Sequence, residues 1–266
     1  MNRQFLKEVR GDLKAIVREE IVSYLRALTT RKTQLPRHNF VIFTQGRTGS
    51  NLLRTLLSSH PSIFCIREPF VRWHIKVLFP KLHIRGKLAN CPKTVCGLLL
   101  HDMHLNFQKI KYADILSYFH NQGWKIIHLK RSNFFNQIVS ARFAFLNRQW
   151  HYQSKADFDS TQLRSIYISP AEMFEFLEER AARYLKQNEM MAQFPHLDII
   201  FEDDLSQSEQ HQQTIDKICN YLDISPAPVA TKLIKTPREI KDLLQNYEEI
   251  TAFLKNTKYA DLLDKD

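Results

Sequence analysis

Apolar residues along this chain fall into two kinds of run. Short continuous stretches, Phe40–Thr44, Ile63–Ile66, Val95–Leu100, Lys125–Lys130 and Asp198–Glu202, read as strands. Runs such as Ile126-Ile127-His128-Leu129 suit strands of a parallel sheet buried on both faces. Between them, apolar positions recur at helical spacing over Ser50–Ser58, Tyr112–Asn121, Phe134–Asn147, Ala171–Gln193, Glu209–Leu222 and Arg238–Leu254. Strands alternating with helices predict an α/β fold, a P-loop-like three-layer domain around a central, mostly parallel sheet.

The N-terminal segment has a different pattern. Phe5, Val9, Leu13, Ile16, Ile21, Leu25 and Leu28 recur at roughly helical spacing among lysines and arginines, an amphipathic basic helix. Packing on its own domain or on a dimer partner is favoured over a membrane surface. Thr29 to His38, basic and containing Pro36, reads as a linker. The expected division is therefore an extension over 1–38 and an α/β domain over 39–266.

Composition adds a class of partner. With 266 residues, 44% hydrophobic and 11% aromatic, the chain can bury a sizeable core and is not a disordered protein. A net charge of +10 suits an anionic nucleotide, an acidic glycan, a membrane surface or nucleic acid, and does not choose among them. No apolar run reaches the ~18 residues of a transmembrane helix. Met1 to Arg10 lacks the apolar stretch of a secretory signal, so a cytoplasmic protein is expected. Cys65, Cys91, Cys96 and Cys219 show no zinc-type spacing; Cys65 and Cys219 read as buried, and Cys91 and Cys96 as free thiols.

The most informative segment is Val41-Ile42-Phe43-Thr44-Gln45-Gly46-Arg47-Thr48-Gly49-Ser50-Asn51-Leu52-Leu53. A strand stops at a turn holding two of the chain's six glycines, and a helix starts at once. Backbone N–H groups and the helix dipole favour an anion there. Arg47 adds a forked charged donor, and Thr48, Ser50 and Asn51 add side-chain donors, while Gly49 allows close approach. The Gly-Lys-Ser/Thr of Walker A is absent, which disfavours ordinary ATP or GTP hydrolysis. A second strand–turn–helix follows in Lys125-Ile126-Ile127-His128-Leu129-Lys130-Arg131-Ser132-Asn133 and the helix after it. Here Arg131 stands at a strand's carboxyl end and Ser140 about two turns into the helix.

Thr-x-Gly-Arg-Thr-Gly-Ser-x-Leu-Leu resembles the 5′-phosphosulfate loop of sulfotransferases that use 3′-phosphoadenosine 5′-phosphosulfate (PAPS), especially bacterial and carbohydrate branches with arginine in place of lysine. Arg131 and Ser140 resemble that family's 3′-phosphate element. Weaker likenesses run through Ser59-His60-Pro61-Ser62, Arg67-Glu68-Pro69-Phe70, Phe201-Glu202-Asp203-Asp204-Leu205 and Lys235-Thr236-Pro237-Arg238. One departure stands out, since Leu99 occupies a strand position where the family often has lysine.

The resemblance implies sulfuryl transfer from PAPS to a hydroxyl of a glycan, glycolipid or small molecule. Arg47, Thr48, Gly49, Ser50 and Asn51 would take the 5′-phosphosulfate, and Arg131 and Ser140 the 3′-phosphate. It implies Glu68 as general base; His101 is the other candidate, and no metal is required. His101 and His104 would need helical spacing to share a metal, and His101 instead ends a strand-like run. Glu202, Asp203 and Asp204 read as helix-capping or charge-pairing residues rather than a magnesium site. Trp150 and Tyr152 could stack on sugar faces. No nucleic-acid partner is expected; membrane contact or dimerisation through the N-terminal helix stays open. An atypical nucleotide-dependent kinase and a non-catalytic basic binding module are the competing readings.

Overall fold

The computed structural model describes residues 17–31, 35–36, 38–71, 76–148, 163–231, 233 and 239–264. Phe5 to Ile16, Arg72, Trp150, Tyr152 and Lys235 to Arg238 lie outside the described residues.

The core is a five-stranded sheet, β1 His38–Thr44, β2 Ile63–Ile66, β3 Val95–His101, β4 Lys125–Lys130 and β5 His196–Ile200, in the order β2-β3-β1-β4-β5. Every pairing is parallel, so each connection is a crossover, and each strand's carboxyl end lies on the same edge. Strand β1 is central, hydrogen-bonded to β3 on one side and β4 on the other. Its residues from Phe40 to Phe43 are fully buried, and that run is continuously apolar.

Alternate β1 residues feed two cores. Phe40 and Ile42 pack with α2 (Ser50–Ser59) and α8 (Gln210–Tyr221) through Leu53, Leu56, Leu57, Ile215, Ile218 and Cys219. Val41 and Phe43 face the other way, toward α3 (Pro80–Leu88), α4 (Asp102–Gln108) and α5 (Tyr112–Asn121). Helices on both faces make the three layers. A third core joins α6 (Phe134–Asn147) to α7 (Pro170–Met191), α9 (Ile240–Leu243) and α10 (Tyr247–Leu254). All four cysteines are free, and Cys65, Cys96 and Cys219 are buried.

Four elements depart from the sequence expectation. Helices α3 and α4 were not foreseen, because their buried faces carry His83, Gly86, Asp102 and His104 and give little apolar periodicity. The expected helix over Arg238–Leu254 is two short helices among the described residues. Leu244 leaves the helix to bridge Ile166, with Ile166 N–H donating to Leu243 O at 2.8 Å and Gln245 N–H to Ile166 O at 2.7 Å. The expected strand over Asp198–Glu202 runs instead from His196 to Ile200, and Phe201–Leu205 is a π-helical turn. Asp204 turns the chain there, its Oδ2 accepting from Ile200 N–H at 2.7 Å.

The N-terminal helix, α1 over 17–29, lies on α3. Ser23 Oγ donates to His83 O at 2.8 Å, Arg85 to Thr30 O at 3.2 Å, and Lys87 pairs with Glu19. Contact is closest at Gly86, where an added Cβ would lie 1.8 Å from Ser23 O. Val17, Ile21, Leu25 and Leu28 form an exposed stripe on the same helix, with Leu78 and Phe79 also exposed. Gly86→Val should therefore lift α1 from α3. A stability loss of about 1–3 kcal/mol is expected in urea titration, together with faster protease cleavage between α1 and β1. Unchanged values of both would mean that α1 adds nothing to the domain.

Candidate active site

At the carboxyl edge of the sheet, where open α/β sheets place ligands, the chain leaves β1 in the turn 45–49. Gly49 is the N-cap of α2 with φ 82°, and no side chain caps the helix. The first-turn N–H groups of α2 thus lack a side-chain cap and suit an anion. The Arg47 backbone is also left-handed, φ 63°. Thr48 is 1% exposed, and its hydroxyl donates to Gln45 O at 3.1 Å, so it shapes the turn and offers a ligand its backbone N–H. Ser50 Oγ lies 3.2 Å from His101 Nε2, and Asn51 Oδ1 accepts from Arg54 at 3.4 Å.

The second turn, after β4, meets the first. Arg47 Nε donates to Ser140 Oγ at 3.0 Å, and Arg131 Nη1 donates to Arg47 O at 3.1 Å. Residues 47, 131 and 140, up to 93 positions apart, are therefore in direct contact. Gln137, one helical turn before Ser140 on α6, donates through Nε2 to Gly46 O at 2.6 Å.

The π-helical turn props both. Glu202 accepts from Arg131 Nε at 3.3 Å and from the N–H groups of Ser132 and Asn133 at 2.9 and 3.1 Å. Of the roles expected of this acidic run, Glu202 performs the pairing, with Arg131, while the next helix, α8, has no side-chain cap. The Arg131 guanidinium stacks over Phe201, 4.8 Å from the ring centroid, and Phe201 also backs Gly49. Burial works against the Arg131 charge and lowers its pKa; the Glu202 carboxylate offsets this.

Glu68 and His101 come together. His101 Nε2 lies 3.1 Å from Glu68 Oε1, and His104 Nδ1 lies 3.9 Å from Glu68 Oε2. His101 ends β3, as its strand-like run predicts, and the chain turns into α4 there. His101 is the N-cap of α4, and the two rings stand 5.3 Å apart. Burial lowers the His104 pKa, with Glu68 opposing. Leu99 is fully buried in the core beside Ile42, so the only polar reach of this strand face into the site is His101, two residues on.

A polar network behind the first turn was not anticipated from sequence. Gln45 donates to Gln187 Oε1 at 2.9 Å and accepts from Arg180 at 2.9 Å, and Gln187 donates to the buried Asp102 carboxylate at 3.1 Å. Burial raises the Asp102 pKa, with Arg183 opposing. Arg180, Arg183 and Gln187 sit on the polar pattern of a long amphipathic helix, so nothing local marked them out from solvent-facing residues. Gln137 did carry a signal, its i, i+3 spacing from Ser140.

No protein-family model and no curated protein matches this chain. Among solved structures it is similar to one described as the crystal structure of sulfotransferase from Alicyclobacillus acidocaldarius, at 16% identity and a TM-score of 0.49, covering 87% of this chain and 98% of that one. Among the described residues, no helix is long and apolar enough to cross a membrane.

Proposed function

We propose that this protein transfers a sulfuryl group from PAPS to an acceptor hydroxyl. The observation that carries this reading is the contact of Arg47 with Ser140 and of Arg131 with the Arg47 carbonyl. Two anion-suited turns from separate βα units thereby form one site, as a donor with two phosphate centres requires. The 5′-phosphosulfate would lie on the turn 46–51, with Arg47 and the α2 N–H groups compensating charge that develops on the leaving oxygen. The 3′-phosphate would lie on Arg131 and Ser140, replacing the hydrogen bond that now joins Ser140 to Arg47.

The reaction forms a bond from the acceptor oxygen to sulfur as the sulfur–oxygen bond to the 5′-phosphate breaks, in line. The electron pair leaves with 3′-phosphoadenosine 5′-phosphate. The acceptor's proton goes to Glu68, or to His101 in contact with it. Ser50, bonded to His101, connects the donor turn to that pair. Positioning and fixed positive charge supply the catalysis, so the scheme requires no metal. A glycan, glycolipid or hydroxylated small molecule is the acceptor class. We assign the chain to the cytoplasm, which suits four free thiols. Membrane contact or self-association would use the exposed stripe of α1.

The test is thermal stabilisation by 3′-phosphoadenosine 5′-phosphate against ADP and ATP. At a hundredfold excess over Kd, a rise on the order of 5–10 °C is expected for the 3′-phosphorylated nucleotide. That rise should shrink in Ser140→Ala and vanish in Arg131→Ala. An equal rise with ADP would support a kinase-like protein instead. No rise with any nucleotide would support a binding module, and either result would overturn the reading.

A further inference from the structure

Three side chains on β4 and β5, none of them used by the proposed reaction, converge on one point. His128 is paired in register with Asp198 across the two strands, and His196 lies two residues before Asp198. All three therefore share one face of the sheet. Asp198 Oδ1 stands 3.4 Å from His128 Nδ1 and 3.5 Å from His196 Nε2. One ligand atom from each of the three lies within 4.8 Å of the others.

The hydrogen bonding around this point is unfinished. His128 is 2% exposed, and its Nδ1 and Asp198 Oδ1, buried and 3.4 Å apart, face each other too poorly aligned for a good hydrogen bond and have no better partner. His196 Nδ1 lies 2.8 Å from Phe194 O, an acceptor, so Nδ1 carries the proton. In the neutral ring, Nε2 then presents a lone pair to the carboxylate oxygen. An acceptor facing an acceptor is repulsive unless a positive centre lies between them.

We propose that His128, His196 and Asp198 bind a zinc-class divalent cation, a site separate from the donor turns. Metal–ligand bonds of about 2.0–2.1 Å in a tetrahedron put neighbouring ligand atoms about 3.3–3.5 Å apart. Both carboxylate–imidazole distances here fit that edge. A two-nitrogen, one-oxygen set selects zinc over magnesium or calcium. The outer contacts fit as well. The Phe194 carbonyl fixes the His196 tautomer, and Lys130 Nζ, 2.7 Å from Asp198 Oδ2, occupies the other carboxylate oxygen and leaves Oδ1 to the cation. The Lys130 charge opposes a neighbouring cation and holds the affinity below that of a closed structural site. Asp198 is 43% exposed along its side chain although its Oδ1 is buried, and a water would take the fourth position. The cation would tie the edge strand β5 to β4.

The experiment uses untagged, chelator-treated protein titrated with zinc alone and, separately, with cobalt(II) alone. One equivalent of zinc per chain, a higher melting temperature, and the intense visible band of four-coordinate cobalt are expected. His196→Ala and Asp198→Asn, both at partly exposed positions, should abolish the band and cut zinc affinity at least tenfold, with circular dichroism checking the fold. Absence of stoichiometric uptake by the parent protein would overturn the proposal. Uptake that both variants retain would also overturn it, by locating the metal elsewhere.

Discussion

Arg47→Ala should lower kcat/KM for sulfuryl transfer on the order of a hundred- to a thousandfold, the range found when one oxyanion-stabilising donor is removed from a preorganised site. The guanidinium is held between two turns, with Nε on Ser140. Its carbonyl receives Arg131, a bond that the substitution keeps. The loss should therefore fall mainly on kcat, with the fold intact and 3′-phosphoadenosine 5′-phosphate still raising the melting temperature. Steady-state kinetics with PAPS and a hydroxylated acceptor panel measures it. Full activity in this variant would remove Arg47 from the mechanism and with it the assignment of the first turn.

Gly49→Val should cost about 2–4 kcal/mol of stability, combining a left-handed backbone imposed on a β-branched residue with overpacking. The backbone at Gly49 has φ 82°, and an added Cβ would lie 2.5 Å from the Phe201 ring. Phe201 supports Arg131 from below, so the displacement should reach the second turn and abolish nucleotide stabilisation as well. Gly46→Ala is the matched control. A Cβ there meets nothing within 4 Å, and a change within about 0.5 kcal/mol is expected. Urea midpoints for the two variants decide the matter; equal values would show that the close approach at Phe201 carries no strain. The two glycines of the turn, alike in the sequence, thus differ in what they do.

Much of the fold was legible because parallel strands buried on both faces must be continuously apolar. Ile63–Ile66 and Lys125–Lys130 are bounded as their residues suggest, and Tyr112–Asn121 and Phe134–Asn147 are likewise bounded by their periodicity. Legibility failed where tertiary contacts replaced local preference. Helix α3 buries His83 and Gly86 against α1, which local periodicity cannot reveal. Leu244 breaks a helical pattern because Ile166, distant in sequence, offers backbone hydrogen bonds. At the candidate site, Arg47, Arg131 and Ser140 stand out in the sequence by their strand–turn–helix transitions, and the fold brings the three into contact. The contacts of Gln45, Gln187, Asp102 and Arg180 depend on how the long α7 crosses the strand ends, and that docking has no local signature.

The strand order also sets a sequence of events in time. Strand β1 is made before the other four strands of the sheet, yet it occupies the centre, and its partners β3 and β4 begin 57 and 87 residues later, counting from His38 to Val95 and from His38 to Lys125. With no hairpin available, neither of its edges can be covered early, and long-range parallel pairing is slow. Phe201 and Glu202, which brace both turns, arrive later still. A chain leaving the ribosome therefore carries an exposed Val41-Ile42-Phe43 edge until β3 and β4 have been made, and a short-lived need for chaperone protection is built into the same topology that puts Arg47 between its two neighbours.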